Sequence, residues 1–119
     1  MTAGKNPSDI LTIEGMFISK TMVRYEVYIV QDSTLTLERK GHSLKYFTIN
    51  VEIEKEYVVK FISKDNEVKY LYLDAQENGL FLVNVDFNKK GSARLEYNHK
   101  KEKYNVTLVD TCLISQNVK

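Results

Sequence analysis

Cations crowd the stretch between positions 89 and 103: Lys89, Lys90, Arg94, Lys100, Lys101 and Lys103. Glu96 and Glu102 oppose them and leave a local excess of +4, against a net charge of +1 for the whole chain. Tyr97 and Tyr104 interleave with this cluster. Lysine and arginine neutralise phosphates, and aromatic rings stack on unpaired bases, so such a stretch on a β-hairpin suits single-stranded nucleic acid. The same residues also suit a soluble hairpin whose lysine-rich turns keep a sheet edge from pairing with another chain.

The other reactive side chains are scattered. Glu52, Glu54 and Glu56 alternate, so an unbroken strand would set all three on one face. Facing carboxylates can share acid–base work, and a solvated outer face explains them equally well. Asp65, Asn66 and Glu67 offer oxygen atoms without the spacing of a calcium loop. His42 and His99 stand alone in what read as separate turns, too few for a metal set of three or four ligands. Cys112, in the apolar run TCLI, reads as a small packed hydrophobe. There is no nucleophile elbow, no phosphate-cradling loop and no dinucleotide-binding glycine motif. These residues point to no catalytic site, cofactor site or metal site.

The elements that carry them read as strands. Apolar residues alternate with polar ones along ILTIEGMFI (10–18), MVRYEVYIV (22–30), TLTLER from Thr34, and Phe47 to Ile53. The alternation resumes over Tyr57 to Phe61, Val68 to Leu73 and LFLVNVDF (80–87). Two weaker segments follow, ARLEY from Ala93 and YNVTLVDTCLI from Tyr104, as a C-terminal hairpin over about 92–114. Turn signals fall at Lys40-Gly41, Lys64-Asp65-Asn66, Asn78-Gly79, Lys90-Gly91 and Asn98-His99. Asp74 to Asn78 has room for one helical turn at most. The spacing predicts an all-β fold of seven to nine short strands, and the polar alternate positions predict antiparallel pairing.

A chain of 119 residues fits one domain, here expected over 10–119 behind a polar, unstructured segment 1–9. One cysteine excludes an internal disulfide. No run reaches the ~20 apolar residues of a membrane helix, and residues 1–9 lack the apolar core of a signal peptide. The compartment stays open: periplasm or cell surface if a leader was removed, cytoplasm otherwise.

The succession ILTIEG, YEVYIV, TLTLERKG and YFTINVEIEKEYVVKFISKDNEVKYLYLD resembles transthyretin-like domains, also called carboxypeptidase-regulatory-like or prealbumin-like. Gly15 matches the glycine closing the family's first strand, and Tyr25 to Val30 its second strand. Tyr57, Val59, Phe61 and Lys64 match its Y-x-v-x-f-x-K strand, and Val68 to Asp74 the strand after it. The family's usual glycine and tyrosine after that lysine are replaced by Asp65-Asn66-Glu67. The resemblance implies an antiparallel Greek-key β-sandwich that binds or tethers and leaves chemistry to others. Its expected role is a non-enzymatic accessory module for a protein or glycan partner in the bacterial envelope, without membrane insertion. Self-association through strand edges fits as well. The alternative is a small barrel gripping single-stranded nucleic acid with Lys89, Lys90, Arg94, Tyr97, Lys100, Lys101 and Lys103.

Overall fold

The computed structural model describes residues 9–88 and 91–109. Positions 1–8, Lys89, Lys90 and 110–119, with Cys112 and the end of the expected hairpin, lie outside the described residues. Ten strands account for most of the rest and no α-helix occurs among the described residues. They are β1 (Ile10–Ile18), β2 (Val23–Gln31), β3 (Thr34–Ser43), β4 (Tyr46–Glu52), β5 (Lys55–Ile62), β6 (Val68–Ala75), β7 (Gly79–Leu82), β8 (Val85–Asp86), β9 (Ser92–Asn98) and β10 (Lys103–Val109).

They form two sheets. One runs β4-β1-β7, with β8 also pairing β1; the other runs β10-β9-β6-β5-β2-β3. Both are mixed, which corrects the expectation of purely antiparallel pairing. β1 pairs β7 and β8 in parallel, and β6 pairs β9 in parallel. Alternation along a strand reports that one face is wet. It does not report the direction of the neighbour, and here the outer faces of parallel neighbours are wet too.

The two sheets share one core. Leu11, Ile13, Phe17, Phe47, Ile49, Val51 and Val85 of the first sheet meet Val27, Ile29, Tyr57, Val59, Phe61, Leu71, Leu73 and Leu95 of the second. Phe17 stacks on Phe47 at 4.8 Å, and both rings reach Phe61 across the gap, at 5.5 and 5.3 Å. The arrangement is sandwich-like, and the chain switches sheet repeatedly to build it.

Tyrosine hydroxyls pin two of those switches. Between β4 and β5 only Ile53 and Glu54 intervene, with Glu54 at a φ of 65°. Buried Tyr57 accepts the N–H of Glu52 at 3.2 Å across this corner. Between β6 and β7, Tyr104 accepts the N–H groups of Gln76 and Glu77 at 3.2 and 2.8 Å and donates to the carbonyl of Glu77. Each clip satisfies backbone groups that a sheet ladder cannot reach at a corner.

Two local expectations change. Gly41 is not in a turn: it lies inside β3, opposite Tyr25, whose ring occupies the space of a Cβ. The β2–β3 turn is Asp32-Ser33, both at positive φ, as a two-residue hairpin loop requires. The run LFLVNVDF is two strands, because the chain leaves β1 at Val83-Asn84. There the Val83 carbonyl packs onto Gly15, and a Cβ at position 15 would lie 1.5 Å from that oxygen.

Candidate binding face

Pairing registers align one row of side chains across the whole six-stranded sheet. Leu37 lies opposite Tyr28, Tyr28 opposite Val58, Val58 opposite Tyr72, Tyr72 opposite Arg94, and Arg94 opposite Thr107. Their chain neighbours Val27, Ile29, Tyr57, Val59, Leu71, Leu73 and Leu95 point into the core, so this row lies on the outer face. Val58 is only 2% exposed although it takes no part in the core between the sheets. The side chains beside it on the outer face shield it.

The aromatic part of the row is half-buried, and Leu37 is exposed. Tyr70 and Tyr72 lie 6.2 Å apart. The Arg94 guanidinium sits over the Tyr72 ring at 5.5 Å, within cation–π range. Its Nε is shielded from solvent and has no hydrogen-bond partner among the described residues. Tyr28 donates its hydroxyl to Glu26. Burial, then the Glu26 carboxylate, pushes the Tyr28 phenol up to about 12, so it is a neutral donor at any ordinary pH.

Charge flanks the row on both sides. Lys40, Glu26, Lys60 and Tyr70 are successive register partners on one side; Leu35, Val30, Glu56 and Asp74 are on the other. Lys40, Lys60 and Arg94 thus face Glu26, Glu56 and Asp74 in equal number. No single sign dominates, which disfavours a polyanion as the natural occupant.

Among the described residues, the cations of the cluster suggested by the sequence are spread along the hairpin. Arg94 belongs to the outer-face row just described. Lys103 pairs with Asn98 at the far end of the hairpin. Lys100 and Lys101 are exposed in the turn, where both backbone N–H groups donate to Asn98 Oδ1. Tyr97 lies on the opposite face, opposite Tyr104, with the two rings edge-to-face at 5.0 Å. Cations and tyrosines of the hairpin therefore do not converge on one surface.

The remaining candidates also disperse. Glu52, Glu54 and Glu56 fall on either side of the β4–β5 corner, so no unbroken strand aligns them. Glu52 accepts from Lys55 at 2.7 Å. Glu54, Glu56, Asp74 and Glu77 line an open polar cleft of about 830 Å³ at this end of the sheets. No group of three or more His, Cys, Asp or Glu among the described residues could hold a metal. His42 lies in β3 opposite Arg24 rather than in a turn, while His99 contacts Gln76 and Tyr97. Asp65-Asn66-Glu67 is the expected turn, tied by Ser63, whose Oγ accepts the Glu67 N–H. Among the described residues, no helix is long and apolar enough to cross a membrane.

Sequence reasoning passed over Tyr28, Tyr70 and Tyr72. Their parity was readable, since each alternates with a core residue. The strands YEVYIV and VKYLYL are apolar on both faces, so alternation alone does not say which face is buried.

No protein-family model matches this chain, and neither does any curated protein. Among solved structures, the chain is similar to the NMR structure of a protein from Eubacterium rectale. The identity is 7% and the TM-score 0.36, over 93% of this chain and 99% of that one.

Proposed function

We propose that this chain is a non-enzymatic binding module that holds a protein or glycan partner against the outer face of its six-stranded sheet. The row Leu37–Tyr28–Val58–Tyr72–Arg94–Thr107 carries this reading. It offers rigid aromatic surface and a guanidinium stacked over one of its rings. Tyrosine and arginine in a row on a firm scaffold are the side chains on which binding energy concentrates. The balanced flanking charges suit a neutral or mixed partner, with hydroxyls or amides to receive their hydrogen bonds. The repeated switching between sheets goes with a transthyretin-like Greek-key sandwich, and the role that resemblance implies is an accessory one in the bacterial envelope.

A nucleic-acid-binding barrel is supported less well, because Tyr97 and Tyr104 face each other and not a shared surface with Lys100, Lys101 and Lys103. The test is capture from native lysate and on a glycan array, with nuclease present. Three proteins are compared: the wild type, Tyr28→Thr/Tyr72→Thr, and Lys100→Glu/Lys101→Glu. Threonine keeps strand propensity while removing the rings. A partner kept by the hairpin variant and lost by the face variant is the expected result. Capture that disappears with nuclease and with Lys100→Glu/Lys101→Glu overturns the proposal.

A further inference from the structure

A second feature stands apart from that face. A cavity of about 380 Å³ opens between the sheets where β8 and β9 diverge. Phe61, Leu71, Val83, Val85 and Ala93 give it apolar walls. Its size lies at the small end of ligand pockets, roughly 300–1,000 Å³. The detour at Val83-Asn84, which Gly15 alone permits, sets one wall back from β1.

At its mouth is an anomaly. Lys69 pairs with Phe61 and alternates with Leu71 and Leu73, so it holds a core-facing position of β6. Lysine rarely takes such a place without a reason. Its Nζ donates to the Gly91 carbonyl at 2.7 Å, which leaves two N–H groups. Burial pulls the ammonium below the ordinary lysine value, while Asp86 and Glu67 act in the opposite sense and favour its charge.

Two other side chains at the cavity, Asn84 and Ser92, keep a donor. Asn84 Oδ1 accepts the Met16 N–H at 3.1 Å, so the amide Nδ2 remains a donor. Buried Ser92 accepts the Tyr70 N–H at 3.0 Å through Oγ and keeps its own hydrogen to give. Asp86 is the acid of the lining; its Oδ1 accepts the Asn88 N–H at 2.8 Å, and its charge lies within reach of Lys69.

We infer that this cavity binds a small aliphatic carboxylate, of the size of a medium-chain fatty acid, with its tail against Phe61, Leu71 and Val85 and its head on Lys69, Asn84 and Ser92. The site is independent of the outer-face reading and shares none of its central row.

The test is titration of the full chain with octanoate, octanol and octylamine, followed by amide chemical shifts and calorimetry. Octanoate saturates and shifts Lys69, Asn84 and Ser92. Octanol binds more weakly, and octylamine weakest. Lys69→Met lowers octanoate affinity about tenfold, as loss of a charge-assisted hydrogen bond implies, and leaves octanol unchanged. Ala93→Leu, which fills the cavity, abolishes binding of both. Lys69→Met carries the decision if Ala93→Leu does not fold. Absence of saturable octanoate binding at millimolar concentration overturns the inference. Equal affinity for octanoate and octylamine does so too, as does an unchanged octanoate affinity in Lys69→Met. If nothing binds and Ala93→Leu raises the melting temperature, the cavity is a packing gap and not a site.

Discussion

Tyr57 and Tyr104 illustrate how single hydroxyls hold this molecule. Each sits beside the core and answers backbone groups at a corner where the chain changes sheets. Tyr104→Phe removes the acceptor for two N–H groups at once, and Tyr57→Phe for one. Denaturant unfolding is expected to show losses of about 1–3 kcal/mol for Tyr104→Phe and about 1 kcal/mol for Tyr57→Phe. Burial also raises the phenol pKa of both, as it does for Tyr28. An unfolded tyrosine ionises near pH 10, and the folded ones hold their protons to higher pH. Their contribution is therefore complete below about pH 10 and drains away as pH rises through the folded values. Lys69, with its lowered value, works in the opposite sense, but it is one group against Tyr28, Tyr57, Tyr97, Tyr104 and Lys55, all raised. Melting temperature measured from pH 8 to 12 should fall beyond pH 10. A curve that stays level to pH 12 contradicts this.

At the scale of elements, the edge strand β3 shows both protection and a latch. Glu38 is an extra residue there, because Val27 faces Arg39 while Tyr28 faces Leu37. Such a bulge, with Arg39 and Lys40 beside it, discourages another chain from adding to the edge. Arg39 also reaches the Asn50 carbonyl of β4 at 2.6 Å and ties the two sheets together on this side. Arg39→Ala is expected to speed hydrogen exchange in β3 by severalfold while β5 and β6 stay protected. Equal loosening of all strands would refute the latch. Most strands were legible at this scale, because period-two alternation is local. Ile10–Ile18 reads as β1 to the residue. The break in LFLVNVDF was not legible, since it depends on a carbonyl packing against a glycine 68 positions away. Gly41 misled for a similar reason: its room is taken by Tyr25 on the next strand, and the dipeptide Lys40-Gly41 carries no sign of it.

At the scale of the whole molecule, pairing order escapes the sequence. Alternation says that a strand has one wet face, but nothing in Ser92–Asn98 says that it will run parallel to β6. That pairing extends the outer face to six strands and puts Arg94 on Tyr72. The cationic hairpin drew attention by composition, whereas the face is assembled from residues spread between positions 28 and 107. The most direct test of the central claim is the footprint of a captured partner, read from amide shifts of the full chain at saturation. The account predicts that the largest shifts fall on Tyr28, Val58, Tyr72 and Arg94, and that Tyr28→Thr/Tyr72→Thr abolishes them with the fold intact. A footprint confined to Lys100, Lys101 and Lys103, unchanged in that variant, would contradict it.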